Sequence, residues 1–143
     1  MKVVLTRKNE AVHFEAVNED NVKINLDGSP EIGGQNLGVR PMQTLLMGLG
    51  GCSGIDVVMI LQKQKINPEV FEIEIDAQRD PNNTPSLFTD IHVTFKLGGE
   101  NLDDKKVLRA VSLSIEKYCS VAKILEATAQ LTYSVLVNDI KVK

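Results

Sequence analysis

Apolar and polar residues alternate in several stretches of the 143-residue chain, and each such stretch predicts a β-strand. Near the N-terminus, short strands are predicted over residues 2–7, 11–17 and 21–26, with Asn-containing turns between them. Two further strands are predicted around residues 72–77 and 91–97, where every second residue is apolar. A last strand is predicted over residues 130–140. The chain is therefore expected to contain a substantial amount of antiparallel sheet.

The spacing of apolar residues becomes helical at Pro41 and remains so to about Lys65, and proline is well suited to the first position of a helix. Apolar residues occur on most sides of this helix, which predicts a place at the centre of the fold. Its glycines oppose helix formation by roughly 1 kcal/mol each, so another backbone is expected to approach closely there. These glycines are Gly48, Gly50, Gly51 and Gly54.

A second amphipathic helix is predicted over residues 102–117, with an inner stripe that contains Val107, Ala110, Val111, Ser114 and Ile115. It ends near Cys119, and a short helix is predicted over residues 120–127. The predicted order is β-β-β-α-β-β-α-α-β, in which the alternating βαβ units of a doubly wound parallel sheet are missing. The chain is thus predicted to form one α+β domain over residues 1–143.

Composition excludes several classes of function. Sixteen basic and 19 acidic residues give a net charge of −3 and are spread along the chain, so neither a nucleic-acid stripe nor a polybasic membrane patch is expected. The N-terminal residues lack the apolar core of a secretory signal, which predicts a cytoplasmic protein with reduced thiols. Residues 42–61 are long enough to span a bilayer, but Asp56 lies among them and the flanking segments favour sheet. We interpret this segment as a helix buried in a soluble protein.

Two cysteines are the main candidates for chemistry. Cys52 lies in the glycine-rich helix, and Cys119 lies 67 residues later at a break between helices, where free backbone N–H groups can stabilise a thiolate. The residues alone leave open two inert buried thiols, a peroxidatic and resolving pair, a structural disulfide, or a metal site. His13 and His92 are the only histidines, and each is predicted in a strand without a nearby second ligand.

Two segments around these cysteines carry a resemblance to a known family. They are PMQTLLMGLGGC at residues 41–52 and EKYCSVA at residues 116–122. Both segments, their separation and the order of elements resemble the OsmC/Ohr family of osmotically inducible and organic hydroperoxide resistance proteins. The run GGCSGIDVV at residues 50–58 is most similar to the YhfA-like branch of that family.

The resemblance implies an intertwined α+β homodimer with antiparallel sheets around a long central helix. It implies reduction of organic hydroperoxides, in which Cys52 matches the attacking (peroxidatic) cysteine and Cys119 matches the resolving cysteine. It also implies that an external dithiol, in well-studied members a lipoyl group, restores the thiols. No bound cofactor or metal is expected, and the expected partners are a second copy of the chain, a small apolar hydroperoxide and the dithiol, with neither nucleic acid nor membrane.

The sequence departs from the family pattern at the groups that would activate the first cysteine. The position of a family glutamate is occupied by Met42, and the only nearby arginines are Arg7 and Arg40. This departure leaves two alternatives open. One is a non-catalytic protein of the same fold that binds an apolar ligand in the interfacial pocket. The other is a different thiol reaction at Cys52 with an electrophilic metabolite.

Overall fold

A computed structural model describes all 143 residues of the chain. The residues form two compact units, 1–47 and 48–143, which are described separately below. Helix α1 (Pro41–Lys63) begins in the first unit and contributes most of its length to the second. Its start at Pro41 is as predicted.

The first unit contains a three-stranded antiparallel sheet in the order β1-β2-β3. Its strands are β1 (Val3–Arg7), β2 (Phe14–Asn18) and β3 (Lys23–Leu26). The predicted strands are confirmed, but β2 begins three residues later than expected. The cause is Asn9, whose side chain accepts hydrogen bonds from the backbone N–H groups of Ala11 and His13 and so holds these residues in a turn.

The loop after β3 contains a short 3-10 turn (Pro30–Ile32) and is organised by a buried carboxylate. Asp27 accepts backbone hydrogen bonds from Leu37 at 3.0 Å, Gln35 at 2.9 Å and Gly28 at 2.8 Å. These bonds, that of Leu37 foremost, hold the pKa of Asp27 below its ordinary value despite its burial. The loop is therefore fixed by the charged form of one side chain.

Replacing Asp27 with asparagine should lower the melting temperature of the protein at neutral pH. Because the folded pKa of Asp27 is depressed, its contribution is present above the unfolded value of 3.8 and is lost as pH falls through the folded pKa. The melting temperatures of wild type and Asp27→Asn should therefore converge at acidic pH. Asp20→Asn, at an exposed position, is the control. If the melting temperatures of wild type and Asp27→Asn differed by the same amount at neutral and acidic pH, the stabilising role assigned to the charged form of Asp27 would be contradicted.

The second unit contains a four-stranded sheet in the order β4-β5-β6-β7. Its strands are β4 (Val70–Arg79), β5 (Phe88–Gly98), β6 (Gln130–Val137) and β7 (Ile140–Lys141). β4 pairs antiparallel with β5 as predicted, whereas β5 and β6 run parallel. The last predicted strand is divided by Asn138 and Asp139, whose φ angles of 48° and 65° form a hairpin turn.

The connection from β5 to β6 is helical, and it joins two strands that run parallel. It contains α2 (Asp104–Leu113), a π-helical turn (Ser114–Tyr118) and α3 (Ser120–Leu125). The Asp103 side chain caps α2 by accepting from the N–H of Lys106 at 3.0 Å. The predicted inner stripe of this segment is confirmed, since all five of its residues are buried: Val107, Ala110, Val111, Ser114 and Ile115.

Helix α1 is buried in the isolated chain along one stripe only. That stripe repeats every four residues and consists of Leu49, Ser53, Val57 and Leu61. Ile55 and Met59 on the outer side retain 64% and 51% of their exposure, so burial on most sides is not achieved within one chain. By length and composition α1 could cross a membrane, a test that core helices of soluble proteins also pass. The outer side of α1 is therefore an apolar surface that is exposed to solvent in a single chain.

Candidate active site at Cys52 and Cys119

The fold brings together the two cysteines that are 67 residues apart in sequence. Both are free thiols; Cys52 is half-buried on α1, and Cys119 has 0% exposure at the start of α3. The side chain of Cys52 lies beside the Cys119 thiol, close enough to raise its pKa. A molecule from solvent can thus reach Cys52, while Cys119 is accessible chiefly to Cys52.

The position of Cys119 depends on the π-helical turn that precedes it. The N–H of Cys119 donates to the carbonyl of Ser114, five residues earlier, at 2.8 Å. Cys119 then leaves helical geometry and caps α3, where its Sγ accepts from the N–H of Ala122 at 3.4 Å. The sequence predicted the break at Cys119 but not the π turn. Such turns are frequent at functional sites. They have no characteristic spacing of apolar residues, so the sequence pattern does not reveal them.

Burial controls the protonation of Cys119. Desolvation raises the pKa of Cys119 to about 11, and the neighbouring Cys52 side chain acts in the same direction. The N–H of Ala122 opposes the rise but does not cancel it. Cys119 is therefore a neutral thiol at physiological pH, and its S–H group is available to donate a hydrogen bond to Cys52.

The protein should lose stability at alkaline pH through Cys119. Because the folded pKa of Cys119 lies above its ordinary value of 9.0, its contribution is present below 9.0 and is lost as pH rises toward about 11. Urea unfolding of wild type and Cys119→Ser across this window measures the effect, since serine does not titrate there. The free energy of unfolding should fall more steeply for wild type. Parallel curves would show that Cys119 ionises as freely in the folded state as in the unfolded chain.

A buried hydroxyl connects the two cysteine-bearing elements. Ser114 Oγ, in the π turn, donates to the carbonyl of Ser53 at 3.1 Å and lies 3.3 Å from Asp56 Oδ2. One hydroxyl carries one proton, so these two acceptors share a single donor. Both acceptors belong to the segment of α1 that carries Cys52. The sequence placed Ser114 on the inner stripe of its helix, and a polar residue among buried positions was the available signal for this role.

A pocket of about 650 Å³ lies along the flank of α1 beside this hydroxyl. α1 contributes Asp56, Met59, Ile60, Lys63 and Gln64, and the facing segment contributes Leu113 and Tyr118. Cys52, Asp56, Met59 and Lys63 follow one another at intervals of four, three and four residues, so they share one face of the helix. The pocket therefore continues the face on which Cys52 lies.

The two arginines considered from the sequence are each engaged in their own loop of the first unit. Arg40 donates to the carbonyls of Gly38 and Asp27 at 3.3 and 3.4 Å, and also to Asn36. Arg7 donates to the carbonyl of Ala11 at 2.9 Å. No arginine is among the residues that line the pocket beside α1.

A partly buried cysteine on a long apolar helix, next to a buried cysteine on a helical crossover, defines an α+β protein with two neighbouring thiols. Comparison with known proteins agrees with the α+β fold. A sequence model of the OsmC-like protein family matches residues 33–134. Protein YhfA of Escherichia coli K12 is 47% identical over 94 residues, which are 66% of this chain and 69% of the relative.

Solved structures extend the similarity to almost the whole chain. A hypothetical protein from Aquifex aeolicus has a TM-score of 0.77 at 28% identity, with 95% of this chain and 96% of the other covered. The organic hydroperoxide resistance protein OhrB of Bacillus subtilis has a TM-score of 0.62 at 23% identity, with 94% and 96% covered. The latter shows a shared fold. The chain belongs to the OsmC-like protein family.

Proposed function

We propose that this protein is a thiol-dependent reductase of organic hydroperoxides in which Cys52 attacks the peroxide and Cys119 resolves the product. The observation that carries the proposal is that a partly exposed thiol, Cys52, lies next to a fully buried thiol, Cys119. Two inert core thiols would both be buried. In this protein Cys52 is partly exposed to solvent, whereas Cys119 beside it is buried. Family membership, with organic hydroperoxide resistance proteins among the structural relatives, supports the same chemistry.

The proposed reaction has three steps. The Cys52 thiolate attacks the terminal oxygen of the hydroperoxide, the O–O bond breaks, and the alkoxide leaves as an alcohol after taking a proton; Cys52 is now a sulfenic acid. The Cys119 sulfur then attacks the Cys52 sulfur, which forms a disulfide and releases water. An external dithiol reduces that disulfide by two exchange steps and is itself oxidised to a disulfide.

Cys119 also supports the first step in this proposal. Since burial keeps Cys119 protonated at neutral pH, its S–H can donate to the Cys52 thiolate and stabilise the negative charge. This hydrogen bond supplies part of what a cationic partner would supply. Cys119→Ser keeps a donor at the position, whereas Cys119→Ala removes it. The rate at which iodoacetamide alkylates Cys52 should therefore fall more in Cys119→Ala than in Cys119→Ser.

Turnover by the purified protein tests the proposal directly. Wild type with dithiothreitol or dihydrolipoamide should consume cumene hydroperoxide at a rate proportional to enzyme concentration. One equivalent of peroxide, added without dithiol, should yield an intramolecular Cys52–Cys119 disulfide by peptide mass spectrometry. If peroxide persists and both thiols stay reduced, the peroxidase proposal is wrong. A cytoplasmic location, where thiols are kept reduced, suits this cycle.

A homodimer is part of the proposal because two apolar surfaces of the single chain are exposed to solvent. In the second unit, the outer side of α1 exposes Ile55 and Met59 beside a groove of about 380 Å³ that is almost wholly apolar. In the first unit, every residue of β1 is exposed, including Val3, Val4 and Leu5. A second copy that packs its own α1 against this helix would cover the first surface with identical residues.

Gly51→Leu should convert the proposed dimer into a monomer. A Cβ added at Gly51 meets no atom within 4 Å, so the single chain accommodates a side chain there. Leucine also favours helix over glycine by about 1 kcal/mol, so the isolated chain should remain folded. Light scattering after size-exclusion chromatography should report half the wild-type mass. A wild-type mass that is already monomeric, or a variant that stays dimeric, would contradict helix crossing at this position.

A second candidate function is non-catalytic binding of an apolar ligand. Met42, which occupies the position of a family glutamate, and the pocket of about 650 Å³ favour it. Mass spectrometry of the native protein distinguishes the two functions: a co-purified ligand with thiols that resist mild oxidation supports binding. A third outcome, covalent labelling of Cys52 by an electrophile without peroxide turnover, would indicate a different thiol reaction.

A further inference from the structure

The pocket beside α1 contains one acidic and one basic side chain, Asp56 and Lys63. A purely apolar ligand would interact with neither charge. Asp56 lies at the end nearer Cys52 and Lys63 lies at the far end, with Met59, Ile60 and Leu113 between them. Lys63 lies seven positions after Asp56 on the helix, which corresponds to about 10.5 Å along the axis. A ligand that complements both ends carries a cation and an anion roughly that far apart, joined by an apolar middle.

Asp56 has the environment of a binding group. It is half-buried, and Ser114 Oγ at 3.3 Å is its one hydrogen-bond partner in the chain. That hydroxyl also serves the Ser53 carbonyl, so the carboxylate retains most of its capacity to accept hydrogen bonds. An ammonium group placed against Asp56 would satisfy this capacity with a charge-assisted hydrogen bond.

Lys63 is available at the opposite end. It is exposed in the last turn of α1 and takes part in none of the ion pairs of the chain, which involve Lys8, Lys23, Lys96, Lys123 and the N-terminus. Gln64 adjoins it in the pocket wall and adds an uncharged donor. A carboxylate is the ligand group that suits this pair.

We propose that the pocket binds short peptides of about three residues, with the terminal ammonium at Asp56 and the terminal carboxylate at Lys63. Three extended residues span roughly 10 Å, which matches the separation of the two charges. Aliphatic side chains of the peptide would contact Ile60 and Leu113, and the pocket volume is within the range of small-molecule sites.

This assignment rests on the proposed function for its chemical consequence, which is that hydroperoxides carried by peptides are the substrate class. Asp56 lies one helical turn after Cys52, so the N-terminal residue of a bound peptide lies beside the attacking thiol. The peptide ammonium would then bring a positive charge to a site whose lining contains no arginine. Reduction follows the steps given above, and the peptide hydroperoxide leaves as the corresponding alcohol.

Binding of unoxidised peptides tests the pocket without requiring any redox step. Calorimetric titration of the reduced protein should give a dissociation constant for trileucine at least about tenfold lower than for N-acetyl-trileucine or trileucine amide, since each probe lacks one charge. Asp56→Asn should abolish the preference for the free amine. Lys63→Met should abolish the preference for the free carboxylate. Asp76→Asn and Lys105→Met, at exposed positions outside the pocket, should keep both preferences.

The outcomes separate this inference from the proposed function. Equal affinity for the three probes, no measurable binding, or unchanged preferences in Asp56→Asn would overturn the peptide site, even if cumene hydroperoxide is reduced. Charge-selective binding with no turnover of any hydroperoxide would instead overturn the reductase and leave the site standing. If both hold, kcat/KM for trileucine hydroperoxide should exceed that for cumene hydroperoxide about tenfold, and Asp56→Asn should remove the advantage.

Discussion

Cys52→Ser should reduce dithiol-dependent hydroperoxide consumption to the rate without enzyme, a loss on the order of 10³-fold or more. Cys52 is the thiol that solvent reaches, and a serine hydroxyl in its place is neither ionised nor nucleophilic enough to take the peroxide oxygen. The change from sulfur to oxygen is small, so the fold should persist. Peroxide consumption with dihydrolipoamide as the reductant is the measurement, with circular dichroism as the check on folding.

Cys119→Ser is the matched comparison, because it removes the resolving thiol and leaves the attacking one. It should still consume one equivalent of hydroperoxide per chain and accumulate a sulfenic acid at Cys52, which dimedone traps for mass spectrometry. Cys52→Ser should give no dimedone adduct. Equal activity of the two variants would contradict separate roles for the two cysteines. A dimedone adduct at Cys119 in place of Cys52 would show that the attacking and resolving roles are reversed.

Ser114→Ala should slow closure of the disulfide roughly ten- to hundredfold while leaving the formation of sulfenic acid unchanged. The hydroxyl of Ser114 connects the π turn before Cys119 to the Ser53 carbonyl and Asp56 on α1, so its loss loosens the relative position of the two sulfurs. Ser114 touches neither reacting atom and acts as a positioning residue. Stopped-flow alkylation after a pulse of peroxide separates the two rates.

Ser112→Ala provides the control on the same segment. Ser112 hydrogen-bonds to the Tyr133 hydroxyl at 2.9 Å, and its hydroxyl is not hydrogen-bonded to α1. Each substitution should cost about 1 kcal/mol of stability through one lost hydrogen bond. If both variants slow disulfide closure equally, the effect is general destabilisation. If neither does, Ser114 has no role in positioning the sulfurs.

The periodicity of the chain predicted most of the fold. Alternation located β4 and β5, and the stripe from Val107 to Ile115 correctly identified the buried side of the second helical segment. These predictions succeed because apolar burial dictates both patterns. The start of β2 was predicted less accurately. The side chain of Asn9 binds backbone N–H groups that would otherwise be free to pair in the sheet, and the pattern of apolar residues carries no information about such bonds.

The candidate site could be predicted in part. Glycine spacing and the helix break singled out Cys52 and Cys119, and the structure places them next to one another. The contributions of Asp56 and Ser114 could not be predicted, because they arise from a contact between residues 58 apart in sequence. The degree of burial that raises the pKa of Cys119 is likewise a tertiary property. The prediction that α1, apolar on most sides, lies at the centre of the fold is not met within a single chain, since its outer side is exposed.

The parallel pairing of β5 with β6 affects how the chain is completed during synthesis. β4 and β5 pair across the connection formed by residues 80–87, whereas β6 can join β5 only after residues 99–129 have crossed over. Until β6 has been synthesised and has paired, β5 has a free edge of the kind that recruits other chains. Premature termination before Gln130 would make that edge permanent, so truncated products should aggregate and be degraded.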